Sequence, residues 1–327
     1  MMRRIVLLMV TAMLLLNGDL ADAQQPRKIP RIGFLFTGSK DQPHLESFRQ
    51  GLADLGYVEG KNFAIEYRYA EGKPAALPVL AAELVSLKLD VILTTTIQAS
   101  RALLQATNTI PIVAVGIGDP VVDGLVKSLA RPGGNITGLS NSTGAGLWGK
   151  QLELLKEAVP RINSVAMLWN IDAAQLASVA IGDAKTTAKA LGIQLRLFEI
   201  KSNADIDRTF DDLQQRRAHG LLMTAGPVMT RNSKRMAVLA GKSRLPSMYN
   251  SRQFVEDGGL MSYGVNFADL YRRAASYVDK ILKGRQPADL PVEQPMKFEL
   301  FVNLRTAEQI GVTIEPNVLV RADRVIR

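Results

Sequence analysis

The sequence has no cysteine in 327 residues, only two histidines and two tryptophans, and no apolar run long enough to span a bilayer. Without cysteine there is no disulfide, no thiol nucleophile and no lipid attached through a thiol. His44 falls near a predicted helix start and His219 beside a predicted strand start, so a Ser-His-Asp arrangement would have to recruit a lone loop histidine. With no clustered histidines either, a transition-metal site has little to build from. Gly116-Ile117-Gly118 lacks the third glycine of a dinucleotide fingerprint, and no phosphate-binding loop of the GxxxxGK type is present. The glycine pair reads as a tight turn after a buried strand. The expectation is a protein that is not an enzyme and carries no cofactor or metal.

What is present first points to export. Arg3 and Arg4 precede an apolar run from Ile5 to Leu16, and a polar stretch then ends in Ala21-Asp22-Ala23, a small-x-small cleavage pattern. About 20 apolar residues are needed to cross a bilayer, and this run is far shorter. Residues 1–23 are therefore predicted to be a signal peptide of the general export route, leaving a freely soluble periplasmic chain. The net charge of +9 could point to nucleic acid. However, the basic residues are spread over pairs such as Arg216-Arg217, Lys234-Arg235 and Arg272-Arg273 within helical patterns, which reads as solvated helix faces. No nucleic-acid partner is expected.

Short apolar runs alternate with stretches of helical period, the pattern of parallel sheets covered on both faces. In the first half the strands are predicted at 31–36, 62–69, 90–96, 110–116 and 135–140, with helices beginning near His44, Ala75, Ile97 and Asp119. A second series of strands follows at 164–170, 194–200, 220–226, 246–250 and 259–264. Two βα series of similar size predict an α/β protein of two Rossmann-like lobes.

The segment DPVVDGLVKSLARPGGNITGLS at 119–140 combines a carboxylate at a strand end with a sharp chain reversal at Arg131-Pro132-Gly133-Gly134-Asn135. Together with GLADLGYVEGKNFAIEYRYAEGK (51–73), VPRINSVAMLWN (159–170), FVEDGGLMSYGVNFADLYRRAA (254–275) and the tail from Leu290, it resembles the substrate-binding proteins of ABC transporters typified by tryptophan- and tyrosine-binding members. The resemblance implies the type I periplasmic-binding fold, with a ligand cleft between lobes and three crossings, near Ser140–Gly146, Tyr263–Phe267 and Pro291–Met296. The implied lobes are 24–142 with about 265–291, and 143–264 with about 292–327, the helix at 267–284 returning to the first and the segment 298–311 to the second. It also implies a monomer that takes a small-molecule ligand and works with an ABC permease and ATPase complex in the inner membrane; a periplasmic sensory receptor would use the same cleft. The chain differs from common relatives at Ile97-Gln98, where proline and alanine are frequent, and at Gly226-Pro227, where an acidic residue often precedes proline.

Ligands of open parallel sheets bind at the carboxyl ends of the strands. That rule selects 36–39, 95–98, 118–119 and 140–143 in the first half, with Thr37, Ser39, Thr95, Thr96, Gln98, Asp119, Ser140 and Asn141 as candidates, and 169–170, 225–227, 249–250 and 263–266 in the second, with Trp169, Asn170, Tyr249, Asn250 and Tyr263 as candidates. Asp119 suits a ligand amino group through a charge-assisted hydrogen bond, or equally a helix cap before Pro120. Thr95, Thr96 and Ser140 could receive a carboxylate or serve strand and cap hydrogen bonds. Trp169, Tyr249 and Tyr263 could sandwich an apolar or ring-bearing ligand, or pack in the core. Mass spectrometry of the exported form is expected to show an unlipidated chain beginning at Gln24; retention of the apolar run would contradict the leader assignment.

Overall fold

Buried strands and amphipathic helices build two separate sheets in a computed structural model that describes residues 29–40, 44–170, 174–216, 218–224 and 226–327. The expected leader at 1–23 lies outside the described residues, as does Ala225. In chain order the first sheet takes β1 (Arg31–Phe36), β2 (Ala64–Tyr69), β3 (Val91–Thr94), β4 (Ile112–Ile117) and β5 (Ile136–Ser140), joined in part through α1 (Leu45–Asp54), α2 (Leu77–Ser86) and α3 (Ile97–Ala106). After α4 (Leu147–Ala158) come β6 (Ser164–Asn170), α5 (Ala174–Ala190), β7 (Gln194–Ile200), α6 (Asn203–Gln215) and β8 (Gly220–Met223). Then follow α7 (Pro227–Arg231), α8 (Ser233–Lys242), β9 (Ser247–Tyr249), α9 (Arg252–Glu256), β10 (Met261–Val265) and α10 (Phe267–Leu282). The chain closes with β11 (Phe298–Asn303), α11 (Leu304–Ile310), α12 (Pro316–Arg321) and β12 (Arg324–Ile326).

The strand orders are β2-β1-β3-β4-β5 and β12-β11-β10-β9-β8-β6-β7. Every pairing is parallel except β10 with β11, which sets Gly264 opposite Glu299. Each sheet carries one apolar core on either face. Phe34, Phe36, Val113 and Leu139 belong to one core of the first sheet, and Leu35, Ile92, Ala114 and Ile136 to the other. The second sheet divides likewise between Val165, Met167 and Leu222 on one side and Ala166, Leu168 and Met223 on the other. This two-face burial is why the strands read as continuous apolar runs.

The chain passes between the sheets three times: after β5, between β10 and α10, and before β11. α10 leaves the second sheet and lays Leu270, Tyr271, Ala274, Ala275 and Val278 into a core of the first. Its start is fixed by Asn266, whose side chain accepts from the Asp269 amide at 2.9 Å. The passages are hydrogen-bonded to one another. Ser140 N donates to Glu293 O at 2.9 Å, Glu293 N to Gly138 O at 3.1 Å, and Asn266 N to Lys297 O at 3.1 Å.

One expectation needs correction. No helix follows Asp119: residues 120–123 form one turn, ended by Gly124 at φ +69°. Leu125 N donates to Pro120 O at 2.8 Å and Gly124 N to Val121 O at 3.0 Å, the bonding of a glycine helix stop, so the chain turns away long before Arg131. The tail segment 298–311, which joins the second sheet, holds two elements. It is strand β11 followed by α11, divided at Asn303, whose side chain accepts from Thr306 N at 3.2 Å.

The basic pairs largely meet carboxylates on helix faces. Arg216 contacts Asp212, Arg235 contacts Asp207 and Arg272 contacts Asp54. No helix among the described residues is long and apolar enough to cross a membrane.

Candidate functional site

Because β1, β3, β4 and β5 are adjacent, their carboxyl ends form a row about three strand spacings long, or roughly 14 Å. Thr37 and Thr96 meet there, hydroxyl to hydroxyl, at 2.6 Å. Thr96 also caps α3 by accepting from Ala99 N at 3.2 Å, which ends β3 at Thr94 and shortens the predicted strand. Thr95 bonds the Tyr271 phenol, whose ionisation burial pushes up to about 12, with the Thr95 hydrogen bond opposing. Ser39 is half-buried on the loop after β1, and Gln98 is exposed on the first turn of α3.

Further along the row, Ser140 is buried with its hydroxyl engaged on both sides, donating to Gly118 O at 2.6 Å and accepting from Ser142 N at 2.8 Å. Asn141 is half-buried and its amide donates to Ile117 O at 2.9 Å. Asp119 is exposed, and its Oδ1 accepts from Val121 N at 3.0 Å and Val122 N at 3.1 Å. Both roles weighed for Asp119 remain geometrically open: it caps a turn, and it faces solvent at a strand end.

The second sheet contributes less than the strand-end rule predicted. Tyr249 is wholly buried, stacked on Phe254 with centroids 4.8 Å apart, so its ring offers no surface to a ligand. Burial raises its phenol well above the ordinary tyrosine range, an effect that the neighbouring Ser247 hydroxyl opposes without forming a well-aligned hydrogen bond. Tyr263 stands in mid-strand rather than at the strand end, half-buried and stacked on Phe298 at 5.7 Å. Trp169 is half-buried and alternates with Leu168 and Asn170, which turns it towards the face of Val165 and Met167. Tyr249 and Tyr263 are held by packing, whereas Trp169 stays half-buried at the end of β6.

Asn170 is different. It is fully buried at the end of β6, its Nδ2 donates to Ile200 O at 2.7 Å, and its Oδ1 has no partner among the described residues. A Cβ at Gly226 would lie 2.5 Å from the Asn170 Cβ, so only glycine fits at this departure from the common pattern.

Between the lobes lies a cavity of about 150 Å³ that the strand-end rule reached at Asn250 and at Gly264 and Val265, and missed elsewhere. His44 and Phe267 line it from the first lobe; Arg252, Gln253, Glu256, Gly264 and Glu299 line it from the second. The His44 ring stacks on Phe267 at 5.8 Å and lies 5.5 Å from Tyr271. Arg252 and Glu256 stand 3.9 Å apart. Burial raises the Glu299 carboxyl above its ordinary value, Arg252 opposing, with Asp323 and Glu256 adding to the rise. Arg252 was within reach of the rule, two residues beyond Asn250. Glu299 was not, because β11 runs antiparallel and brings its amino end to the edge where the parallel strands bring their carboxyl ends.

Residues 39–326 match the protein family described as ABC transporter substrate binding protein. A tyrosine-binding protein of Clostridioides difficile (strain R20291) is 24% identical over 282 residues, 83% of this chain and 79% of that protein. A conserved domain protein from Vibrio cholerae O1 biovar El Tor is 30% identical, with a TM-score of 0.75 over 91% of this chain and 100% of the other. A domain from Streptococcus pneumoniae solved with L-Trp is 26% identical, with a TM-score of 0.76 over 91% of this chain and 99% of the other.

His44 supplies a pH signature for the lobe contact. Burial, with the Arg252 cation nearby, lowers its ionisation from the ordinary 6.5 to about 4. A proton therefore binds the unfolded chain first, so the stability that neutral His44 contributes is complete above about pH 6.5 and lost as pH falls through about 4. His44→Gln is expected to cost about 1 kcal/mol at pH 7.5 through lost ring contacts, and its deficit against wild type should narrow between pH 6.5 and 4. Urea denaturation across that range checks this; a deficit independent of pH would contradict it.

Proposed function

Because this chain belongs to the ABC transporter substrate-binding protein family, we propose that it captures an amino-acid-like or aromatic small molecule between its lobes and delivers it to an ABC importer. The family binds small-molecule ligands and works with ABC transporters, and the two-lobe architecture is the type I periplasmic-binding fold. The proposal adds the ligand class, the periplasmic location, monomeric action, and delivery to a permease and ATPase complex in the inner membrane. The lobes are taken as 24–142 with about 265–291, and 143–264 with about 292–327.

The observation that carries this reading is a cavity lined from both lobes, together with a row of hydroxyls and the exposed Asp119 carboxylate at the carboxyl edge of the first sheet. Relatives that bind tyrosine or were solved with L-Trp support the ligand class. On this reading the α3 N-terminus with Thr95 and Thr96 receives the ligand carboxylate, because unpaired amides at a helix start favour negative charge. Thr37, Ser39, Gln98, Ser140 and Asn141 complete that edge, Asp119 meets the ammonium, and Asn170 and Asn250 contribute from the second lobe. Closure follows because only the closed state makes contacts from both lobes, so binding shifts the open-to-closed equilibrium.

Thermal unfolding in the presence of each of the twenty amino acids tests the ligand class, since a ligand that binds only the folded state raises the midpoint. An aromatic amino acid should give the largest rise; no rise with any amino acid would overturn the proposal. Asp119→Ala should weaken that ligand by about 1.5 to 3 kcal/mol, or one to two decades in Kd. Unchanged affinity with a lowered midpoint would leave Asp119 as a cap alone.

A further inference from the structure

We infer that Met296, on the last crossing between the lobes, is a reversible modification site. Hydrogen peroxide oxidises its thioether to the sulfoxide in the folded protein, and a methionine sulfoxide reductase restores it.

Exposure separates this sulfur from the others. With no cysteine in the chain, methionine carries all of its sulfur. Met167, Met248 and Met261 lie in one core of the second sheet and Met223, Met229 and Met236 in the other. Each of these six is 0% exposed, whereas Met296 is 75% exposed. The remaining methionines fall within the expected leader. Peroxide reaches a core thioether only when the structure around it opens, but it meets an exposed one at every encounter. The step needs no further reactant. A sulfur lone pair takes one oxygen from the peroxide, the O–O bond breaks, the sulfur gives up two electrons and the second oxygen leaves as water.

Position lets the oxidised chain stay folded. Upstream, Glu293 is tied to the first sheet, its amide donating to Gly138 O at 3.1 Å and its carbonyl accepting from Ser140 N at 2.9 Å. Downstream, Lys297 O accepts from Asn266 N at 3.1 Å. Between these ties, residues 294–296 belong to no helix or strand, and neither Gln294 nor Met296 makes a hydrogen bond among the described residues. A sulfoxide is polar, and here water solvates it, so no core packing is lost. The same open span admits a reductase, in which two thiols become one disulfide and the sulfoxide oxygen leaves as water. Met296 does not line the interlobe cavity, so the inference stands apart from the identity of the ligand.

Peptide mass mapping of the exported protein after graded exposure to hydrogen peroxide tests the inference. One oxygen should appear on the peptide holding Met296, at least about tenfold faster than on any other methionine beyond the leader. In denaturing urea that difference should shrink to about twofold or less, because the opening step is gone. Met296→Leu should take up no oxygen at the dose that saturates the wild type. The singly oxidised protein should melt within about 2 °C of the untreated one, and reductase with dithiothreitol should remove the oxygen without unfolding it. A core methionine oxidised as fast as Met296, an unmodified Met296, a rate difference that persists in urea, or a collapse of melting after one oxygen would each overturn the assignment. So would a sulfoxide that the reductase removes only from the unfolded chain.

Discussion

The burial of α10 against the first sheet is the contact on which the architecture depends. Leu270, Tyr271, Ala274, Ala275, Tyr277, Val278 and Ile281, with Leu290 beyond the helix, complete a core whose remaining buried members lie before Ser140, and each large side chain removed from water contributes about 1.5–3 kcal/mol. The helix reaches that core only after the chain has built most of the second sheet. The first lobe is therefore finished by a segment downstream of the second lobe's first five strands, and the chain must then cross again to add β11 and β12. Neither lobe is contiguous in sequence, and both are tied at the line where the chain passes between them.

That line is a built structure. Ser140, Glu293 and Gly138 exchange backbone hydrogen bonds, Thr137 Oγ1 donates to Leu290 O at 2.6 Å, and Tyr277 OH donates to Pro291 O at 2.6 Å. Arg273 contacts Glu293, and Lys297 lies 2.8 Å from Asp269, joining the last crossing to the start of α10. Under the proposed function this pairing lets the lobes rotate about the crossings while the two cores stay intact, and His44, Phe267, Arg252 and Glu299 lie where that rotation changes their separation.

Most of the fold was legible because buried parallel strands write themselves as apolar runs, and the ten runs read from the sequence correspond to β1 through β10. The residues after Asp119 misled because an apolar, helix-period pattern was weighed above Gly124, where the left-handed backbone ends the turn. At the site, the rule that ligands meet strand carboxyl ends located Thr37, Thr96, Ser140 and Asn170 on the two sheet edges. It could not distinguish an aromatic at such an edge from one beneath it. Tyr249 is core because Gly259 leaves room for its ring, a Cβ there falling 2.5 Å from Tyr249 Cε2. Glu299 was invisible to the rule for a topological reason, since strand direction reverses only at β11.

Under the proposed function, two lobes with separate cores close on a small molecule about three tied crossings. Small-angle X-ray scattering of the protein, free and saturated with the amino acid it binds, tests this most directly. Closure should give a smaller radius of gyration on saturation with no loss of secondary structure. A radius unchanged at saturating ligand would contradict it.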